Sequence, residues 1–232
     1  MKIALLGSAP SSRMLAPFDD PSWQIWACSG SNAGLFPRSD FWFEMHATDR
    51  RTSNPKLTTY YQWLQNHPAI YMQDKDPTFP GSIEYPRDQM VKEFGNMFFT
   101  STVAWMLALA IWKVSKEAAS DPEKSIGLWG IDMAASDEYD YQRAGCHFFI
   151  HEARRRGIEI VAPGESNILQ PYPLYGYKEQ SPMWRKLNAR GDELDHRIEQ
   201  LNKNIQRQQN EMLVLRGARE GVDDAMTWVT AP

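Results

Sequence analysis

Apolar residues in the first 170 positions fall into short runs separated by polar, proline-rich or glycine-rich connections. Six runs have strand length and strand composition: Ile3–Leu6, Gln24–Cys28, Phe41–Met45, Ala69–Met72, Ser125–Met133 and Ile158–Ala162. Ser125–Met133 (SIGLWGIDM) is apolar almost throughout, as in a strand covered on both faces. Between these runs the apolar spacing becomes helical. Thr58–Asn66 carries Tyr61, Trp63 and Leu64, and Arg87–Phe94 reads as a short helix inside an irregular stretch from Thr78 to Phe99. Val103, Leu107, Ala110, Ile111 and Val114 form one stripe behind the cap sequence Thr100-Ser101-Thr102. Asp140–Arg156 is a helix stopped by Gly157. This alternation predicts an α/β domain with a mostly parallel sheet and helices on both faces.

From Ser181 the pattern changes. Trp184 to Arg219 holds no proline and few strand formers. Leu187, Leu194, Ile198, Leu201, Ile205, Gln208, Met212 and Leu215 mark an a/d heptad seam, in steps of four and three from Leu194 onward. Gly191 interrupts it, and Gln208 is a polar member that can set register. The tail reads as a coiled coil or as a helical hairpin packed on its own domain, with Ala218–Val229 folding back. The coiled-coil reading makes the protein a homo-oligomer through residues 187–215. The expected division is a nucleotide-binding domain over 1–177 and a helical extension over 178–232.

Composition narrows the classes. The 232 residues are 42% hydrophobic and include nine Trp, nine Tyr and ten Phe, enough for a large aromatic core. A net charge of −4 argues against generic nucleic-acid binding, and Arg154, Arg155 and Arg156 read as a solvated helix end. Two cysteines, Cys28 and Cys146, make neither a CxxC motif nor a disulfide framework, so a reducing, cytoplasmic setting is expected. The opening MKIALLG is too short for a signal peptide, and no apolar run reaches membrane-span length.

Candidate chemistry gathers at the strand ends. Gly7, Ser8 and Ser11 follow the first strand, Ser29 and Asn32 the second; Ser101 and Thr102 open the main helix, and Gly130 and Asp132 close the fifth strand. Small and hydroxyl residues there let a backbone approach a flat ligand and donate to phosphate or ribose. The first turn matches neither GxGxxG nor the P-loop. His46, just past the third strand with Glu44 and Asp49 nearby, suits acid–base work. Tyr141 could assist as base, and Arg143 could pair with a phosphate at the cleft rim. His147 and His151 have metal-ligand spacing but no third ligand, and Asp74 and Asp76 read more simply as a turn before Pro77, so no metal is expected.

The turn GSAPSS resembles the G-[NS]-[GA]-P-S turn of bacterial sialyltransferases that use CMP-sialic acid, and of related Rossmann-like proteins that include 6-hydroxymethylpterin diphosphokinase-like proteins. A second block is similar too: FFTSTVAWMLALAI, then IGLWGIDM, a helix, IEIVAP and ESNIL. The resemblance spans roughly residues 1–170. It implies a Rossmann-like fold, a nucleotide or nucleotide-sugar ligand of the CMP or UDP type, and glycosyltransferase-like group transfer. It would make Ser8, Ser11, Asn32, Ser101, Thr102, Gly130 and Asp132 the nucleotide-side contacts. The chain departs where those enzymes carry a catalytic His: here the region reads Asp140-Tyr141-Gln142-Arg143, with no His before His147. LYGY (Leu174–Tyr177) and the tail also look like uncharacterised tailed-bacteriophage proteins, which would imply a host cytoplasm. The alternatives are a non-catalytic phage accessory or nucleotide-sequestering protein, and an ATP-dependent pyrophosphokinase-like enzyme.

Overall fold

The computed structural model describes residues 1–46, 58–117, 123–133, 137–171, 174–176 and 182–230. The chain forms two compact units, Met1–Gln170 and Pro171–Pro232.

In the first unit, β1 (Lys2–Leu6), β2 (Trp23–Cys28), β3 (Phe41–Glu44), β4 (Ile70–Met72), β5 (Ser82–Glu84), β6 (Ser125–Trp129) and β7 (Glu159–Val161) make one sheet. Their order is β5-β4-β3-β2-β1-β6-β7, and every neighbouring pair is parallel. This is a Rossmann-like α/β fold whose strand order reverses at β1. Helices α1 (Thr58–Leu64), α2 (Arg87–Phe94), α3 (Thr102–Glu117) and α4 (Asp137–Arg155) cover it.

Side-chain alternation along β1 explains the layers. Ile3 and Leu5 enter a core with Trp26, Met90 of α2, Leu107 of α3 and Phe149 of α4. Ala4 and Leu6 enter a second core with Trp42 and with Tyr60 and Leu64 of α1. Burial on both faces is why β1, β2, β3 and β6 read as mostly apolar runs rather than as alternating ones.

Two strands differ from the sequence expectation. β5 is three residues, Ser-Ile-Glu, with no apolar run to announce it; it exists because Ile70 pairs with Ser82 and Met72 with Glu84 at the sheet edge. The fifth expected strand ends at Trp129 rather than Met133, because Gly130 turns into left-handed backbone at φ +64°.

That turn is forced by a close crossing. A Cβ on Gly7 would lie 2.4 Å from the Gly130 carbonyl oxygen, and one on Gly130 would lie 2.6 Å from the Gly7 carbonyl oxygen. Gly7 N donates to Trp129 O at 2.9 Å, Ala9 N to Gly130 O at 2.8 Å, and Gly130 N to the buried Ser12 Oγ at 2.9 Å.

The second unit is dominated by α5, one continuous helix from Pro182 to Thr230. The expected fold-back at Ala218 is absent. Gly217 and Gly221 lie inside the helix, and each interior glycine costs only about 1 kcal/mol, too little to break a helix without a proline or turn sequence. Among the described residues no helix is long and apolar enough to cross a membrane.

Gly130→Ala should cost about 2 kcal/mol in urea unfolding, because it adds both a left-handed strain and a backbone clash. A loss below about 0.5 kcal/mol would show that the crossing can relax.

Candidate functional site

β2 and β3 end side by side, and α3 packs across β1, β2 and β3 on one face. The strand tips and the helix start therefore share one cleft of about 760 Å³. Ser29, Glu44, His46, Ser101 and Thr102 line it, with Tyr60, Tyr61, Phe99, Trp105 and Tyr141 as aromatic surface. Its volume lies in the range of small-molecule sites.

The helix start is prepared for an anion. Ser101 Oγ accepts from Ala104 N at 3.1 Å, capping a helix of 16 residues. The first-turn residues Thr102 and Val103 line the cleft, so the positive end of the helix dipole faces it. Phe99 stacks on Trp105, with ring centroids 3.9 Å apart and planes 21° apart. The two rings form a flat apolar wall beside the helix start.

The opposite wall is built on Glu44, which is only 4% exposed. A buried carboxylate needs hydrogen bonds on both oxygens. Oε2 accepts from Tyr60 Oη at 2.7 Å, and Tyr60 Oη accepts from Trp42 Nε1 at 2.9 Å. Oε1 accepts from the His46 backbone N at 3.1 Å and from His46 Nδ1 at 2.5 Å. Burial pushes the Glu44 carboxyl up, but the hydrogen bonds from His46 and Tyr60, together with attraction to His46, outweigh it and hold the group below its ordinary range. Burial, then the Glu44 charge, raises the Tyr60 hydroxyl far above its usual range, so it stays a donor. An ionised Glu44 only accepts, so His46 Nδ1 carries the hydrogen of this bond.

Backbone strain sits at the same place. Ser29 has φ 78°, left-handed for a residue with a side chain, and its Oγ lies 3.0 Å from Ser31 Oγ. Gly30 lies flat on Tyr60: a Cβ there would come within 3.2 Å of the ring.

A second group of expected residues meets at the tips of β1 and β6, the switch point of the sheet. Asn32 is fully buried, and its Nδ2 donates to Gly7 O at 2.9 Å and Cys28 O at 2.8 Å, while its Oδ1 accepts from Arg13. Asn32 is thus a bracket between two strand tips. Arg13 also donates to Ser8 O at 3.2 Å. Ser8 and Ser11 are exposed, and half-buried Asp132 accepts from Ser11 Oγ and from Asn167 N. None of Gly7, Ser8, Ser11, Asn32, Gly130 or Asp132 is among the residues lining the cleft beside α3.

Tyr141 and Arg143 part company. Tyr141 lies on the cleft and is 57% exposed. Arg143, expected at the rim, is 6% exposed; it donates to Met133 O at 3.1 Å and Asn167 O at 2.8 Å. It clamps the chain after β6 to the loop after β7. The difference arises because the two residues are two apart on α4 and so do not share a helix face.

Other groups are structural. Burial pushes the Cys28 and Cys146 thiols up to about 12, which removes them as nucleophiles at neutral pH. His147 Nε2 donates to Ile168 O at 2.8 Å, and burial lowers its pKa. Among the described residues no three or more His, Cys, Asp or Glu gather as metal ligands. Asp74 lines an adjoining hollow of about 390 Å³ that shares Met45 and Trp105 with the cleft. Asp76 is not among the described residues lining the cleft, and Asp49 lies outside the described residues.

Glu44 is the main residue that sequence reasoning underweighted. Its signal was present: an acid inside the apolar run FWFEM must find partners when the strand is buried. Tyr60, Phe99 and Trp105 gave no such signal, because aromatic residues fill cores and line clefts alike.

No protein-family model matches the sequence, and no curated protein matches it. The fold is similar to that of sialyltransferase CstII from Campylobacter jejuni in complex with the substrate analogue cytidine-5'-monophosphate, at 15% identity and TM-score 0.43, covering 69% of this chain and 78% of that one. CstII with trisaccharide acceptor and CMP matches at 15% identity and TM-score 0.43 over 70% of this chain and 80% of that one. At that distance the likeness assigns no residue here a role.

Because Glu44 titrates below its ordinary 4.5 when folded, its contribution to stability is present above that pH and is lost as pH falls through the folded value. Between about pH 5 and pH 3, the melting temperature of the native chain should therefore fall more steeply than that of Glu44→Gln. Equal slopes in differential scanning fluorimetry would contradict the Glu44 network.

Proposed function

We propose that this cleft binds a nucleotide or nucleotide-sugar of the CMP or UDP type, and that the protein is a glycosyltransferase-like group transferase. One observation carries the reading: a buried carboxylate aligns a histidine on the same cleft that receives a helix N-terminus and a stacked aromatic wall. The three features suit a general base, a phosphate and a flat ring respectively.

In this reading the acceptor hydroxyl gives its proton to His46 Nε2. The acceptor oxygen bonds to the anomeric carbon of the donor sugar. The bond from that carbon to the phosphate oxygen breaks, and its electron pair leaves on the nucleotide phosphate. The α3 N-terminus, with the hydroxyls of Ser101 and Thr102, holds that charge. Glu44 keeps the imidazole in the tautomer that leaves Nε2 to act, and Tyr141 positions the acceptor at the mouth. Ser29 orders the loop under the nucleotide. Ser8, Ser11 and Asp132, outside the cleft lining, tie the turns at the switch point, where Gly7 and Gly130 let the two strand tips cross. Asn32 and Arg143 act as positioning residues behind the strand tips. No step requires a metal.

Titration with CMP, UDP and ATP tests this. A true ligand at a hundred times its Kd should stabilise the fold by about 2.7 kcal/mol. His46→Ala should keep CMP affinity within about twofold while transfer from a CMP- or UDP-sugar falls at least about a hundredfold. No stabilisation by any nucleotide would overturn the assignment and favour a non-catalytic role. Stabilisation by ATP alone, dependent on magnesium, would favour the pyrophosphokinase-like alternative.

A further inference from the structure

The second unit carries an inference independent of the cleft. α5 has 49 residues, which corresponds to roughly 74 Å of helix. Every residue of it whose side chain is described is exposed except Gly191, which is intermediate. Gly191, Gly217 and Gly221 lie inside it, each costing about 1 kcal/mol relative to alanine. Helices in proteins draw most of their stability from packing an apolar face. This one has such a face and leaves it open: Leu201 is 61% and Leu215 63% exposed.

With the helix continuous, the heptad register keeps its phase from Trp184 to Val229, with Gly191 and Arg219 at a positions and Gln208 at a d position as its non-apolar members. Ile198 and Ile205 take a positions, while Leu194, Leu201 and Leu215 take d positions. Val222 and Val229 continue the d row past the point where a fold-back was expected. Branched a residues over leucine d residues favour two parallel strands.

We propose that α5 pairs with α5 of a second copy of this chain as a parallel, in-register, two-stranded coiled coil. Charge supports the choice of occupant. In a parallel pair each g residue meets the e residue five positions on in the partner. Arg190 then meets the partner's Asp195, and Glu211 meets the partner's Arg216. The remaining g–e pairs, such as Arg197 with the partner's Asn202, join no like charges. Orientation follows from the polar layer. In register, Gln208 meets the partner's Gln208, and the two amides can bond to each other. An antiparallel pair of the same overlap would set Gln208 against the partner's Ile205, leaving a polar group unmatched. Arg219, at an a position, is ion-paired along its own helix to Asp223 at 2.8 Å, so its stem can cover the seam while its charge stays at the edge.

The test uses the full chain. Light scattering at about ten micromolar should give the mass of two 26.7-kDa chains. Leu194→Cys should cross-link to itself on mild oxidation, since the native Cys28 and Cys146 are buried. Glu211→Arg should raise the dimer dissociation constant several-fold, and adding Arg216→Glu should restore it. Ile205→Asp should give the mass of one chain with the melting of the α/β unit unchanged. A native mass of one chain, or of three or more, overturns the proposal, as does a dimer in which Leu194→Cys fails to cross-link.

Discussion

A carboxylate buried at the end of β3 is the constraint on which the cleft depends. Glu44 is almost wholly removed from water, so its charge must be answered by donors on both oxygens. Tyr60, whose hydroxyl accepts from Trp42 Nε1, donates to one oxygen from the α1 side of the sheet, and His46 answers the other from the strand end. The position of α1, the flat approach of Gly30 to the Tyr60 ring and the orientation of His46 all follow from that requirement. Stability and chemistry therefore share one network: hydrogen bonds that keep Glu44 ionised also present a histidine to the cleft.

The tips of β1 and β6 hold a different arrangement. Gly7 and Gly130 cross so closely that neither tolerates a side chain, and Ser12, Asn32 and Arg13 lace the turns together. Arg143 and Asn167 extend the lacing to the loop after β7. This framework ties the three strand ends to one another. The cleft beside it takes its field from a helix dipole and its walls from aromatic rings, neither of which needs to titrate or move.

Much of the fold was legible because burial on both faces leaves a direct mark. The runs of β1, β2, β3 and β6 are mostly apolar, with a polar residue at or near an end, and α3 is announced by its cap and stripe. β5 was not legible, since an edge strand of three residues is made by its neighbour's open hydrogen-bonding groups and not by its own composition. For the site, the sequence shows polar residues at the strand ends but not which way each one faces. Ser101 and His46 reach the cleft. Asn32 and Arg143 are equally polar and lie near the same tips, but they face inward, because one must tie two strand ends and the other must clamp two carbonyls.

What the sequence determined by itself was periodicity: strands covered on two faces, a capped helix between them, and a heptad rhythm in the tail. Each is written in the local spacing of apolar and polar side chains, which obeys the fixed geometry of helix and strand. Tertiary structure alone decided which polar residues face the cleft and which are consumed inside. Those outcomes depend on partners far apart in the chain, such as Trp42 with Tyr60 or Arg143 with Asn167, and no local spacing encodes such a meeting.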